Sequence, residues 1–182
     1  MKPSPRVWAV ALATAAITSP AIAQTPPATP PACTAPEHRQ FDFWVGYWDV
    51  YPTGKQTMVA HSLIEKLYGG CAIRENWMPL NHQDGGSLNN YVTDDKRWHQ
   101  TWVDSSNARV DFVGGLTGGK MVLVGDWKGV NGPGQDAITR MTYSRNADGS
   151  VRQFGETSAD FGMTWQASFD FTYKPSASAP PK

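Results

Sequence analysis

An excess of charge of either sign is missing from this chain. Its 182 residues include 16 basic and 16 acidic ones, a formal net charge of zero. No block of Lys or Arg is present, so the counterion release that drives nucleic-acid binding has no source, and nucleic acid is excluded as an expected partner. Long apolar runs are also missing. The stretch Val7 to Ile17 is about half of the ~20 residues that a spanning helix needs, and no later segment is longer and equally apolar. No transmembrane segment is therefore expected in the mature chain. Cysteine is confined to Cys33 and Cys71, and no Cys-x-x-Cys occurs, which excludes dithiol redox chemistry. His61 and His99 stand in no metal-ligand spacing with cysteines or carboxylates, so no metal is expected. There is no Gly-x-Ser-x-Gly elbow, P-loop or dinucleotide fingerprint. No cofactor and no catalytic set follow from motifs.

What is present starts with export. Lys2 and Arg6 make a short positive region, Val7 to Ile17 an Ala-rich apolar run, and Ala21-Ile22-Ala23 a small-residue cleavage site. Residues 1–23 read as a secretory signal peptide cut after Ala23, and the mature protein is expected to be periplasmic or secreted. A membrane anchor is the alternative reading of the same run. Residues 24–32, QTPPATPPA, read as a Pro-rich disordered tether. The domain is expected at 33–175, followed by a disordered tail at 176–182. Loss of Lys2 and Arg6 leaves 14 basic against 16 acidic residues, a net charge of −2. In an oxidising compartment the pair Cys33 and Cys71 is expected to be bridged. A lipid-anchored Cys33 is the alternative, although PPAC lacks the usual apolar lead-in.

Within the domain, Thr34-Ala-Pro-Glu37 has the form of a capping box with Pro just inside the helix start. Phe41, Trp44 and Val45 follow at i, i+3, i+4, which predicts one short amphipathic helix stopped at Gly46. Beyond it the chain breaks into short β segments divided by turn residues. Tyr47 to Tyr51 comes first, then Lys55–Leu67, Cys71–Met78, Ser87–Thr93, Arg97–Asp104 and Ala108–Val113. Lys120–Lys128, Asp136–Ser144, Ser150–Thr157 and Trp165–Tyr173 complete the set. The Gly-Gly pairs read as turns, where positive φ is needed. This is an all-β, antiparallel up-and-down meander of about ten strands with one short N-terminal helix, closed as a barrel or folded as a sandwich. Phe41 and Trp44 are expected to plug one end, with Trp48 facing inward at the floor.

Several strings resemble a known group. FDFWVGYWDV contains the Gly46-x-Trp48 triplet at the start of the first strand, as lipocalins and other calycins do. Together with GGCAIRENW, SLNNYVTDDKRWHQTWVD and DFGMTWQASFDFTY, it is similar to an exported bacterial family of unknown function, of the DUF1579 type. The resemblance spans about residues 33–173. It implies a calycin-like β-barrel and no particular activity. Nitrobindin, a related small barrel, holds haem through a histidine near its C-terminus. Here the histidines are His38, His61, His82 and His99, so that ligand has no counterpart.

Seven tryptophans remain once Trp8 is removed with the leader. Trp98, Gln100 and Trp102 alternate on one strand and share a face. Glu75 shares a face with Trp77, and Ser87 with Asn89 and Tyr91. If these faces point inward, the interior is aromatic with a few polar groups: Glu75, Asn89, Gln100 and Arg140. The candidate ligand-binding residues are then Trp48, Glu75, Trp77, Asn89, Tyr91, Trp98, Gln100, Trp102 and Arg140. Such an interior suits a small hydrophobic or aromatic molecule held by a few hydrogen bonds. A filled core is the competing reading of the same residues. Glu75 is expected to pair with Arg140, because a carboxylate inside an apolar barrel must pair, protonate or meet a ligand. Three functions follow from this: a periplasmic binding protein, a calycin-fold enzyme with a buried acid or base, and an envelope interaction module with a solid core. The binding protein is the leading one.

Overall fold

The computed structural model describes residues 33–178 and 180; the expected signal peptide and tether lie outside them. Ten strands follow one another in the chain. They are β1 (Gly46–Pro52), β2 (Ala60–Leu67), β3 (Ala72–Pro79), β4 (Gly85–Val92) and β5 (Arg97–Asp104), then β6 (Arg109–Thr117), β7 (Lys120–Trp127), β8 (Ala137–Arg145), β9 (Val151–Ser158) and β10 (Gln166–Pro175). Each pairs antiparallel with its sequence neighbours, and β1 pairs with β10 to close the barrel. Closure leaves no strand edge to template aggregation. Inward and outward residues alternate as the pleat requires. On β8, Ala137, Thr139, Met141 and Tyr143 are buried while their neighbours are not.

The helical segment lies where it is expected, as two short 3-10 turns, Pro36–Arg39 and Asp42–Trp44. Thr34 does not cap it: Ala35 occupies the cap position and no side chain bonds there. Phe41 and Trp44 are fully buried and close one end of the barrel. Phe41 stacks on Trp44 and meets Trp98 and Tyr143 edge-on, and Trp44 reaches Tyr173. The indole N–H of Trp48 donates to Trp44 O at 2.9 Å. Gly46 lies under that indole, and a Cβ there would sit 3.1 Å from the ring. This explains the Gly-x-Trp spacing: the ring needs a neighbour without a side chain in order to turn back onto the helical plug.

Two of the Gly-Gly pairs correct the turn reading. Gly69-Gly70 and Gly118-Gly119 do adopt positive φ. Gly85-Gly86 begins β4, and Gly114-Gly115 lies within β6. Here the need is for space. A Cβ on Gly86 would come 2.5 Å from Glu75 O, and one on Gly114 1.9 Å from Val122 O. The second predicted strand is also shorter than expected, since Lys55 to Val59 stays in the β1–β2 connection and pairing starts at Ala60.

Cys33 and Cys71 are joined, which ties the start of the plug to the entry of β3 across a separation of 38 residues. Closing a loop of that length stabilises the fold by roughly 4 kcal/mol on the chain-entropy view. Replacing both cysteines by serine is expected to lower the unfolding free energy by about that amount. Urea titration of the two proteins checks this, and identical midpoints would contradict it.

Candidate functional site

Ten strands enclose more volume than their inward side chains fill, because the interior of a barrel widens with strand number. The remainder is a cavity of about 180 Å³. One end is shut by the plug. At the other, half-buried Trp77, Trp102, Trp127, Phe169 and Phe171 form the mouth. Two of these rings lie over strand glycines. A Cβ on Gly85 would sit 2.7 Å from the Trp102 ring, and one on Gly155 2.2 Å from Phe169. The glycines give each large ring room to lie along the wall.

Below the mouth the wall turns polar. The Glu75 carboxylate accepts from Ser62 Oγ at 3.1 Å and Ser87 Oγ at 3.2 Å. Asn89 Nδ2 donates to Ser87 Oγ at 3.0 Å, and Gln100 Nε2 to Asn89 Oδ1 at 2.6 Å. Gln100 Nε2 also reaches Tyr143 OH at 3.5 Å, which accepts from Gln153 Nε2 at 3.0 Å. Tyr173 OH donates to Gln153 Oε1 at 2.6 Å and lies beside Glu75. The bonds run as a chain around the inside of the barrel through β3, β4, β5, β8, β9 and β10. Such a network fixes each member, because a buried polar group without a partner is costly.

Glu75 is the one carboxylate in this ring, and among the described residues no Lys, Arg or His lines the cavity. Burial pushes its carboxyl up to about 7, against the lowering effect of its hydroxyl partners. The phenols of Tyr143 and Tyr173 are raised too, first by burial and then by the neighbouring Glu75 charge.

The sequence-predicted residues divide into groups. Glu75, Trp77, Gln100 and Trp102 line the cavity. Asn89 stands one bond behind it in the ring. Trp48, Tyr91 and Trp98 belong to the closed end: Trp98 Nε1 donates to Gln40 Oε1 at 3.1 Å, and Tyr91 packs on His38 and Trp98. Arg140 is a correction. It sits between inward Thr139 and Met141, so the pleat turns it outward. There it pairs with Glu156, its register partner on β9, and lies over the Trp165 ring at 3.9 Å. Glu75 therefore has no cationic partner among the described residues. His61 and His99 each bond one aspartate, Asp49 and Asp95, on the outside. Sequence reasoning missed Phe112, Trp127, Met141, Tyr143, Gln153, Phe169, Phe171 and Tyr173. The alternation in FDFTY carries the same signal as that in WHQTW and places Phe169, Phe171 and Tyr173 on one face.

No family model matches the chain, and no curated protein matches it.

The raised carboxyl has a consequence for stability. Below the ordinary value of 4.5, Glu75 is protonated both folded and unfolded. As pH rises toward 7 the unfolded chain ionises first, so it is favoured and stability falls. Above about 7 both states are ionised and the loss is complete, at about 3 kcal/mol. Glu75→Gln keeps the shape, and its amide can donate to the two serine hydroxyls. It is expected to leave stability little changed at pH 4 and to raise it by up to about 3 kcal/mol at pH 8. Urea unfolding at both pH values reads this out. A variant no more stable than wild type at pH 8 would contradict it.

Proposed function

We propose that this protein is exported and binds a small hydrophobic or aromatic molecule in the cavity of its barrel. One observation carries the reading: eight of the twelve residues lining the cavity are aromatic, and the polar groups are gathered at its floor. That is the composition of a site that takes an apolar body and orients it by a few hydrogen bonds. The volume suits a ligand of about one ring, since an apolar cavity of about 150 Å³ accommodates benzene. The cavity counts against a solid-core module. Export is supported by the leader-like residues 1–23 and by the Cys33–Cys71 bridge, which persists in oxidising compartments. We also propose a calycin-type barrel of the DUF1579 kind, on the strength of the Gly46-x-Trp48 opening, the helical plug and the closed ten-strand meander. Among the described residues no helix is long and apolar enough to cross a membrane.

A calycin-fold enzyme is the second reading, favoured by the burial of Glu75 in the cavity wall, which pushes its carboxyl up to about 7. It ranks lower because, among the described residues, no second acid, base or nucleophile shares the cavity with Glu75, apart from two phenols held neutral by burial.

Trp77, Trp102 and Trp127 make the site self-reporting. Titration with 4-nitrotoluene, a quencher of about the right size, is expected to give saturable loss of tryptophan fluorescence. Gly155→Ala drives a Cβ into Phe169 and is expected to weaken binding about tenfold. Linear quenching without saturation, equal in both proteins, would contradict the binding reading.

A further inference from the structure

The floor of the cavity identifies the ligand more closely than its walls do. Building on the binding reading above, we infer that the cavity takes a small organic cation, a protonated amine on an apolar body of about one ring, with its ammonium group on Glu75 and its body among Trp77, Trp102 and Phe171. Glu75 is 4% exposed, yet it lines the cavity and has no basic partner there among the described residues. The groups that face it are Ser62 from β2, Ser87 from β4 and Tyr173 from β10, with Tyr143 of β8 close by. None of them carries positive charge. On its own strand, Arg74 points outward to Glu65. Arg140 on β8 is bound to Glu156 on the outside. A carboxylate so placed gains a large interaction from any cation that reaches it.

The walls favour the same charge. Indole and phenyl faces attract ammonium groups through their quadrupoles, more strongly where water is excluded. An anionic ligand would meet both Glu75 and the negative ring faces, and a neutral one would leave Glu75 uncompensated. The serine and tyrosine hydroxyls add acceptors for the ammonium protons beyond the first bond. Only the ionised form of Glu75 offers this pairing, so binding of the cation displaces the carboxyl proton wherever one is held.

The test compares benzylammonium with benzyl alcohol, nearly the same shape but neutral, by isothermal titration calorimetry on the full chain. At pH 8 benzylammonium is expected to bind at least about tenfold more tightly. Between pH 8 and pH 5 its affinity is expected to fall about a hundredfold, because the ionised fraction of a carboxyl titrating at about 7 falls by that factor. Benzyl alcohol should not vary with pH. Glu75→Gln should abolish both the preference and the pH dependence while still binding the alcohol. The wild-type comparison does not depend on the variant's folding. If the alcohol binds and the ammonium binds no better at pH 8, or if the preference survives Glu75→Gln, the cation assignment is wrong and the binding reading stands. If neither compound binds, the binding reading itself is overturned, and this inference with it.

Discussion

A carboxyl group with no cation to pair with among the described residues lies in the middle of this barrel, and much of the interior is arranged around it. Burying Glu75 requires hydrogen-bond donors on the strands that flank it and across from it. That fixes Ser62 and Ser87 at inward positions beside it. The serines require Asn89, and Asn89 requires Gln100; the amides in turn need the phenols of Tyr143 and Tyr173 and the amide of Gln153. These side chains reach toward one another along the wall. Volume remains beneath the aromatic mouth as a result.

The same constraint explains why the two ends of the barrel differ. On the plug side, Phe41, Trp44, Trp48, Trp98 and Tyr143 pack ring against ring, and no charge intervenes. The Cys33–Cys71 bridge holds that side shut. On the other side, glycines at 85 and 155 let Trp102 and Phe169 lie along the wall, so the large rings line the entrance and leave it open. One end gives stability and the other gives access, with the polar ring dividing them.

Much of the fold was legible in the sequence. Turn residues at regular intervals gave ten strands with no intervening helix, because local turn chemistry and alternation survive in a meander where each strand pairs with its neighbour. The glycines in β4 and β6 look like turns because sequence does not distinguish a glycine that needs positive φ from one that needs room. Their demand comes from atoms on other strands, Glu75 O and Val122 O. The site was half legible. Parity placed Glu75, Trp77, Gln100 and Trp102 inside. Arg140 is turned outward by strict alternation with Thr139 and Met141, so the buried carboxylate of Glu75 does not draw it inside. Parity could not say how deep a residue lies along the barrel, so Trp48, Tyr91 and Trp98 were grouped with a cavity that they close from below.

The central claim is that Glu75 is buried without a compensating charge. The most direct test is an NMR titration of its side-chain carboxyl carbon in the ¹³C-labelled protein, from pH 4 to pH 9. A midpoint near 7 is expected, because burial pushes the carboxyl up. A midpoint at or below the ordinary 4.5 would mean that water or a cation reaches the carboxylate in the free protein. That result would contradict the burial of Glu75 in the polar network and the cation site built on it.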